Sequence, residues 1–335
     1  MTKFLVLSFI LALALNAGLA GTKAVPTSML LVMNKGDQVL GVIDPEAGRQ
    51  IEDIPVIGVT GHEVAASPDG HRAFVPIYGN SGVGLPGTDG STLVVVDLDT
   101  RKTIQTIDFG HGVRPHCAVF GLKDGLLYVT TELDKSVTII DPKTLKIVGS
   151  IPTGQTESHM LAISRDGHYG YTANVGPGTV SVLDLAARKT KQVIPVAQHI
   201  QRISITPDDR WVFTSDTQKP RLAVINATTG SVERWITLPG TGYGTAPAGD
   251  GKWLLVAMPE VNGVAVVDLA AWQVVKTINV PKSPQEVLIR PDGKVAYVSC
   301  SSSHQVATIQ ISDWSVKMIE AGAGADGLAW ANNSQ

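Results

Sequence analysis

Between His159 and Ile200 the chain passes through four short apolar stretches separated by turn residues, and from Gln201 the same order starts again. Within a stretch the apolar residues alternate or run on, as in Val180-Ser181-Val182-Leu183-Asp184, a strand spacing rather than a helical one. Equivalent positions fall at His62, His116, His159, Gln201, Tyr243, Gln285 and Asp326, at separations of 54, 43, 42, 42, 42 and 41 residues. A strand-built period near 42 with one insertion predicts a β-propeller: an all-β ring of seven four-stranded antiparallel blades.

The two ends of the pattern complete each other. Before His62 the stretches Met29–Val32, Gln38–Ile43 and Gln50–Pro55 supply three strands with no opening one. After Glu320 a lone first strand, Gly327–Ala331, has no successors. Joining them closes the ring and removes the free edges that an open sheet would expose. In the first full unit the expected strands are Glu63–Ala66, Arg72–Tyr78, Ser91–Val96 and Thr103–Phe109. Two polar columns support this register: turn aspartates at Asp69, Asp124, Asp166, Asp208, Asp250 and Asp292, and third-strand ends at Asp44, Asp97, Asp141, Asp184, Asn226 and Asp268. Asp and Asn cap turns by accepting from backbone amides two residues on, so these carboxylates read as structural rather than catalytic.

The second strands carry Tyr128-Val129-Thr130-Thr131, Tyr171-Thr172-Ala173-Asn174 and Tyr297-Val298-Ser299-Cys300, each after a turn such as Arg290-Pro291-Asp292-Gly293. With these motifs the chain resembles the YVTN-repeat family of exported bacterial β-propellers, over everything beyond its first twenty residues. The resemblance implies the fold; propellers that share it include lactonases, the heme-binding domain of a nitrite reductase and copper-dependent sulfur-compound oxidases, so it implies no single activity.

Composition narrows the partners. The 335 residues carry a net charge of -3 with no Lys/Arg-rich run, which disfavours nucleic acid as a main ligand. Residues 1–20 have the form of a signal peptide: Lys3, an apolar Phe4 to Leu15, and the small-residue site Gly18-Leu19-Ala20. They predict a periplasmic or secreted propeller over residues 21–335, with no transmembrane segment and a monomeric state. Cys117 and Cys300 fall in different blades, so free or metal-binding thiols are expected rather than a bridge.

In an up-and-down meander six of the eight histidines, His62, His111, His116, His159, His199 and His304, map to one face of the ring. Three consecutive blades place His62, His116 and His159 at the channel mouth, with Gln201, Tyr243, Gln285 and Asp326 completing the circle. Blades pack about 10 Å apart, so inward imidazoles are candidate ligands for copper, zinc or iron. The insertion Gly79 to Gly90 lies on the same face beside His62 and is either a flap over the mouth or a solvated excursion. Arg114, Glu132, Asp134, Asp216, Lys219 and Glu260 are expected as mixed charges of the loop rim. A GxGxxG match at Gly322 to Gly327 lacks the following helix and is rejected as a dinucleotide site.

Three functions follow. The first is an exported propeller that binds a small molecule or protein partner at the channel mouth. The alternative is a metal-dependent oxidoreductase or lyase using His62, His116 and His159. The third is a lactonase-like hydrolase with a divalent ion held by Asp326 or by Glu63 and Glu286.

Overall fold

The computed structural model describes residues 27–333; the expected signal peptide lies outside them. Twenty-eight strands form seven four-stranded sheets arranged in a ring. Blade 1 is built from both ends of the chain, in the order Ala325–Asn332, Ser28–Asn34, Val39–Asp44, Arg49–Pro55. Blades 2 to 7 follow as residues 65–108, 115–152, 158–195, 200–237, 245–279 and 284–320.

Closure is as the orphan strands predicted, with Leu30 opposite Trp330 and Val32 opposite Leu328. Met29 to Met33 are fully buried between the closing strand and their own neighbours. A chain ending at Glu320 therefore exposes an apolar edge; it is expected to give aggregates and no folded monomer on gel filtration, and a monodisperse truncated chain with the wild-type melting temperature would refute closure as the stabilising element.

The second and third strands of a blade are sandwiched by the neighbouring blades and buried almost throughout, whereas the fourth is wet on its outer side, as in Lys146–Pro152. That is why the early strands are continuous in Val, Ile, Leu and Tyr and the fourth strands are rich in Lys, Thr and Gln. Tyr128, Tyr171 and Tyr297 of the repeat motifs are each 2% exposed, and Tyr128 donates its hydroxyl to the turn residue Asp124 at 2.7 Å. The turn aspartates behave as expected: Asp69, Asp124, Asp166, Asp208, Asp250 and Asp292 each accept from the amide two residues on. Tryptophans lie between blades, Trp211 against Trp272 and Trp253 against Trp314. Cys117 and Cys300 are buried free thiols in separate clusters, and burial pushes both up to about 12.

Two local features differ from the expected strands. The third strand of blade 2 begins at Asp89, inside the insertion, because Asp89 pairs with Gly79; a side chain at Gly90 would run into the Ile77 carbonyl. In blades 1, 3, 4, 5 and 7 the pairing of first and second strands also slips once, between Val32 and Asn34, Pro115 and Ala118, Ser158 and Met160, Ile200 and Ile203, and Pro284 and Val287. These bulges fall at the ring positions. A bulge leaves residues unpaired and re-aims their side chains, and in blades 5 and 7 the residues just after the ring positions, Arg202 and Glu286, meet in the channel.

Candidate functional site

The ring residues form two adjoining halves. In the first, His62, His116 and His159 come together around Tyr78, whose ring centroid lies 5.2 Å from His62, 5.2 Å from His116 and 5.4 Å from His159. His62 meets His116 edge-on at 5.5 Å, and His116 stacks on His159 at 3.5 Å with an interplanar angle of 28°. His116 and His159 are each 4% exposed, and His62 is half-buried at the lip. Burial holds all three imidazoles below their ordinary value, His62 at about 4. They are neutral at pH 7, so each ring has one donor and one acceptor nitrogen.

The second half centres on Arg202, the residue after the ring position in blade 5. Its guanidinium spans the channel to Glu63 of blade 2 at 2.7 Å, Asp326 of blade 1 at 3.2 Å and Glu286 of blade 7 at 3.7 Å. Lys35 pairs with Asp326 at 2.8 Å. Burial raises Glu63 and Glu286, partly opposed by Arg202; burial also resists ionisation of Asp326, but Lys35 and Arg202 bring it below the carboxylate range. Gln201 donates to the Tyr243 hydroxyl at 3.0 Å, and Arg202 lies 5.5 Å from that ring. Gln285 turns back to the Ser283 carbonyl at 3.2 Å and takes no part in these contacts.

Several expected positions move. His111, His199 and His304 stay apart from the cluster: His111 is exposed and pairs with Asp134 at 2.8 Å, and His304 is an exposed positive-φ residue after a short turn. Arg114, Glu132 and Asp216, expected at a solvated rim, are buried at 5%, 2% and 2% exposure. The insertion is not a free excursion. Arg114 binds Asp89 at 2.6 Å and the Leu85 carbonyl at 2.8 Å, and Gly84 donates to Glu132 at 3.4 Å. Among the described residues no three His, Cys, Asp or Glu side chains are placed to hold a metal ion.

Arg202, Lys35 and Tyr78 were missed by the sequence reading. A signal existed for Arg202, since the column one residue after the ring reads Glu63, Cys117, Met160, Arg202, Gly244, Glu286, Gly327, with one cation facing two acids. Strand alternation would have turned that column away from the axis.

The model of the cytochrome D1 heme domain family matches residues 85–238, from blade 2 into blade 5. The antigen Lp49 of Leptospira interrogans is 25% identical over 191 residues, which are 53% of this chain and 40% of that protein; the chain spans less than half the length of this relative. Among solved structures, hydrazine synthase of Kuenenia stuttgartiensis superposes with a TM-score of 0.73 at 20% identity, over 84% of this chain and 92% of that one. A protein of unknown function from Desulfotomaculum acetoxidans gives 0.76 at 13% identity, over 91% and 99%. At these identities the structural likeness is one of fold.

The ring does not fit a heme. Neutral imidazoles are suitable axial donors, but His116 and His159 cover each other's faces and present no nitrogen over an open flat surface. The cations around the imidazoles, Lys35, Arg114 and Arg202, are committed to carboxylates.

Proposed function

We propose that the protein is an exported propeller that binds a small polar ligand at one end of its channel, within the ring His62, His116, His159, Gln201, Tyr243 and Asp326 together with Glu63 and Arg202. Export is supported by the charged, apolar and small-residue order of residues 1–20. The observation that carries the binding reading is a concentration of unmet hydrogen bonding. Of eight buried side-chain polar atoms without a hydrogen-bond partner among the described residues, four belong to this layer: Glu63 Oε1, His116 Nδ1, Gln201 Oε1 and Arg202 Nη1. Glu63 Oε1 does lie 2.7 Å from Arg202 Nη2, an ion-pair contact without hydrogen-bond alignment.

Each buried polar atom left unmet costs about 1–3 kcal/mol, and native folds hold few of them. Their gathering on the axis favours a ligand that offers both donors and acceptors. It must accept from Arg202 and donate to Gln201. A buried ion cluster is in itself weak support for stability, which also favours a binding role.

The test is a thermal-shift and calorimetric panel of small polyols, sugars, hydroxy acids and amino acids, with Zn²⁺ and Cu²⁺ as separate members. A ligand at about a hundred times its Kd should stabilise the wild type by about 2.7 kcal/mol. The stabilisation should be lost in Gln201→Leu and His116→Phe. A panel that leaves the wild type unmoved, or moves the variants equally, removes the reading. The metal-dependent reading stands second on the strength of the unpartnered His116 Nδ1; a shift with Zn²⁺ or Cu²⁺ alone, abolished in the His62→Gln/His116→Gln/His159→Gln variant, would put it first.

A further inference from the structure

We propose that Glu132 is a positioning residue of this site: its single buried carboxylate holds His159 as the Nδ1–H tautomer and ties residues 79–90 to the imidazole cluster, so that the loop and His159 move as a coupled pair. The functional meaning of this rests on the ligand-binding reading above, but the coupling itself can be tested without any ligand.

Glu132 follows the second strand of blade 3, Leu127–Thr131, and its side chain is 2% exposed. Oε2 receives the Tyr78 hydroxyl at 2.6 Å and faces His159 Nδ1 at 3.3 Å. Oε1 receives the Gly84 amide at 3.4 Å and pairs with Arg114 Nη1 at 3.5 Å. Burial resists ionisation here, but the bonds from His159 and Tyr78 outweigh it and hold the carboxyl below its ordinary range. An ionised carboxylate only accepts, so all four neighbours must donate. His159 therefore carries its proton on Nδ1 and keeps the lone pair of Nε2 free.

The other two donors belong to the loop system. Arg114 extends its remaining nitrogens to Asp89 and to the Leu85 carbonyl. Gly84 also packs under Glu157 of the next blade, whose carboxylate accepts from the Gly176 amide at 2.7 Å. The loop thus starts in blade 2, is bonded to blade 3 and touches the chain entering blade 4. If it lifts, Glu132 loses Gly84 and the Arg114 brace together, and a buried anion keeps only Tyr78 and His159. If His159 is removed or turned, the same carboxylate loses a donor on its other oxygen. Coupling of this kind acts equally in both directions.

The experiment reads both ends in the full chain without ligand. Side-chain ¹⁵N NMR of histidine-labelled protein reports the His159 tautomer, and hydrogen exchange by mass spectrometry reports residues 79–90. Glu132→Gln should speed loop exchange roughly tenfold, the size expected for one lost charge-assisted hydrogen bond. It should also release the His159 tautomer, because an amide can donate as well as accept. His159→Phe, at a residue with no bond to the loop, should loosen residues 79–90. Asp89→Asn, at a position 38% exposed in its side chain and therefore tolerant of change, should shift the His159 nitrogens. An unchanged loop in His159→Phe, or an unchanged His159 signal in Asp89→Asn, would reduce Glu132 to a structural carboxylate and overturn the proposal. A failed ligand panel beside intact coupling would instead count against the binding reading alone.

Discussion

Replacing Arg202 with methionine is expected to lower the stability of the ring by about 3–5 kcal/mol, the range for removing one partner of a buried ionic cluster. The cause is what remains behind: Glu63, Glu286 and Asp326 converge on the guanidinium from three blades, and without it Lys35 still pairs with Asp326 while Glu63 and Glu286 keep no cation among the described residues. At roughly 2–4 °C per kcal/mol for a domain of this order of size, the melting temperature should fall by about 6–20 °C. Adding Glu63→Gln and Glu286→Gln to the Arg202→Met chain should restore much of the loss, because both carboxyls are already raised by burial and give up their charge readily. For the same reason the single variant should regain stability when mildly acidified. Thermal and urea unfolding of the three chains decide the matter. An Arg202→Met chain as stable as the wild type would mean that the cluster carries no net charge interaction.

Acid should weaken the wild type through the imidazoles. Unfolded histidines protonate near 6.5, whereas His62 in the fold does so only at about 4 and His116 and His159 also lie below the ordinary value. Below 6.5 the unfolded chain takes up protons that the folded ring refuses. The contribution is therefore complete above about pH 6.5 and is lost as the pH falls toward 4. For His62 alone the gap is worth roughly 2–3 kcal/mol after allowance for its half-buried position. Glu63 and Glu286 act in the opposite sense, since the folded state protonates them more readily than the unfolded one does, and they offset part of the loss. The His62→Gln/His116→Gln/His159→Gln chain should show a flatter profile of unfolding free energy between about pH 7 and pH 4. An equally steep profile would assign the acid sensitivity to other groups.

Why the three histidines were legible and their partners were not has a physical basis. His62, His116 and His159 occupy one position of a repeat, and equivalent positions in a ring must lie at equal depth, so their convergence followed from spacing. Glu132 was visible only as a charge in a connecting loop, and nothing in its own stretch says that residues 79–90 fold down over it. The Lys35–Asp326 and Arg202–Asp326 pairs join residues 291 and 124 positions apart. No local pattern encodes such pairs, because they exist only once the ring has closed.

The chain by itself determined its blades, its turns and its closure. Blades and turns rest on short-range physics repeated around the ring, strand periodicity and six aspartates that accept from amides two residues on, and closure rests on two incomplete ends that complete each other. Tertiary structure alone decided what the axis contains. The bulges of blades 5 and 7 bring Arg202 and Glu286 into the channel, and Glu63 joins them from just ahead of the short first strand of blade 2. Ring closure then sets acids of blades 1, 2 and 7 around a cation of blade 5, and desolvation in that narrow space makes the imidazoles neutral and leaves four polar atoms without hydrogen-bond partners among the described residues. Burial and bonding across the channel are properties of the closed ring, and one blade's sequence does not contain them.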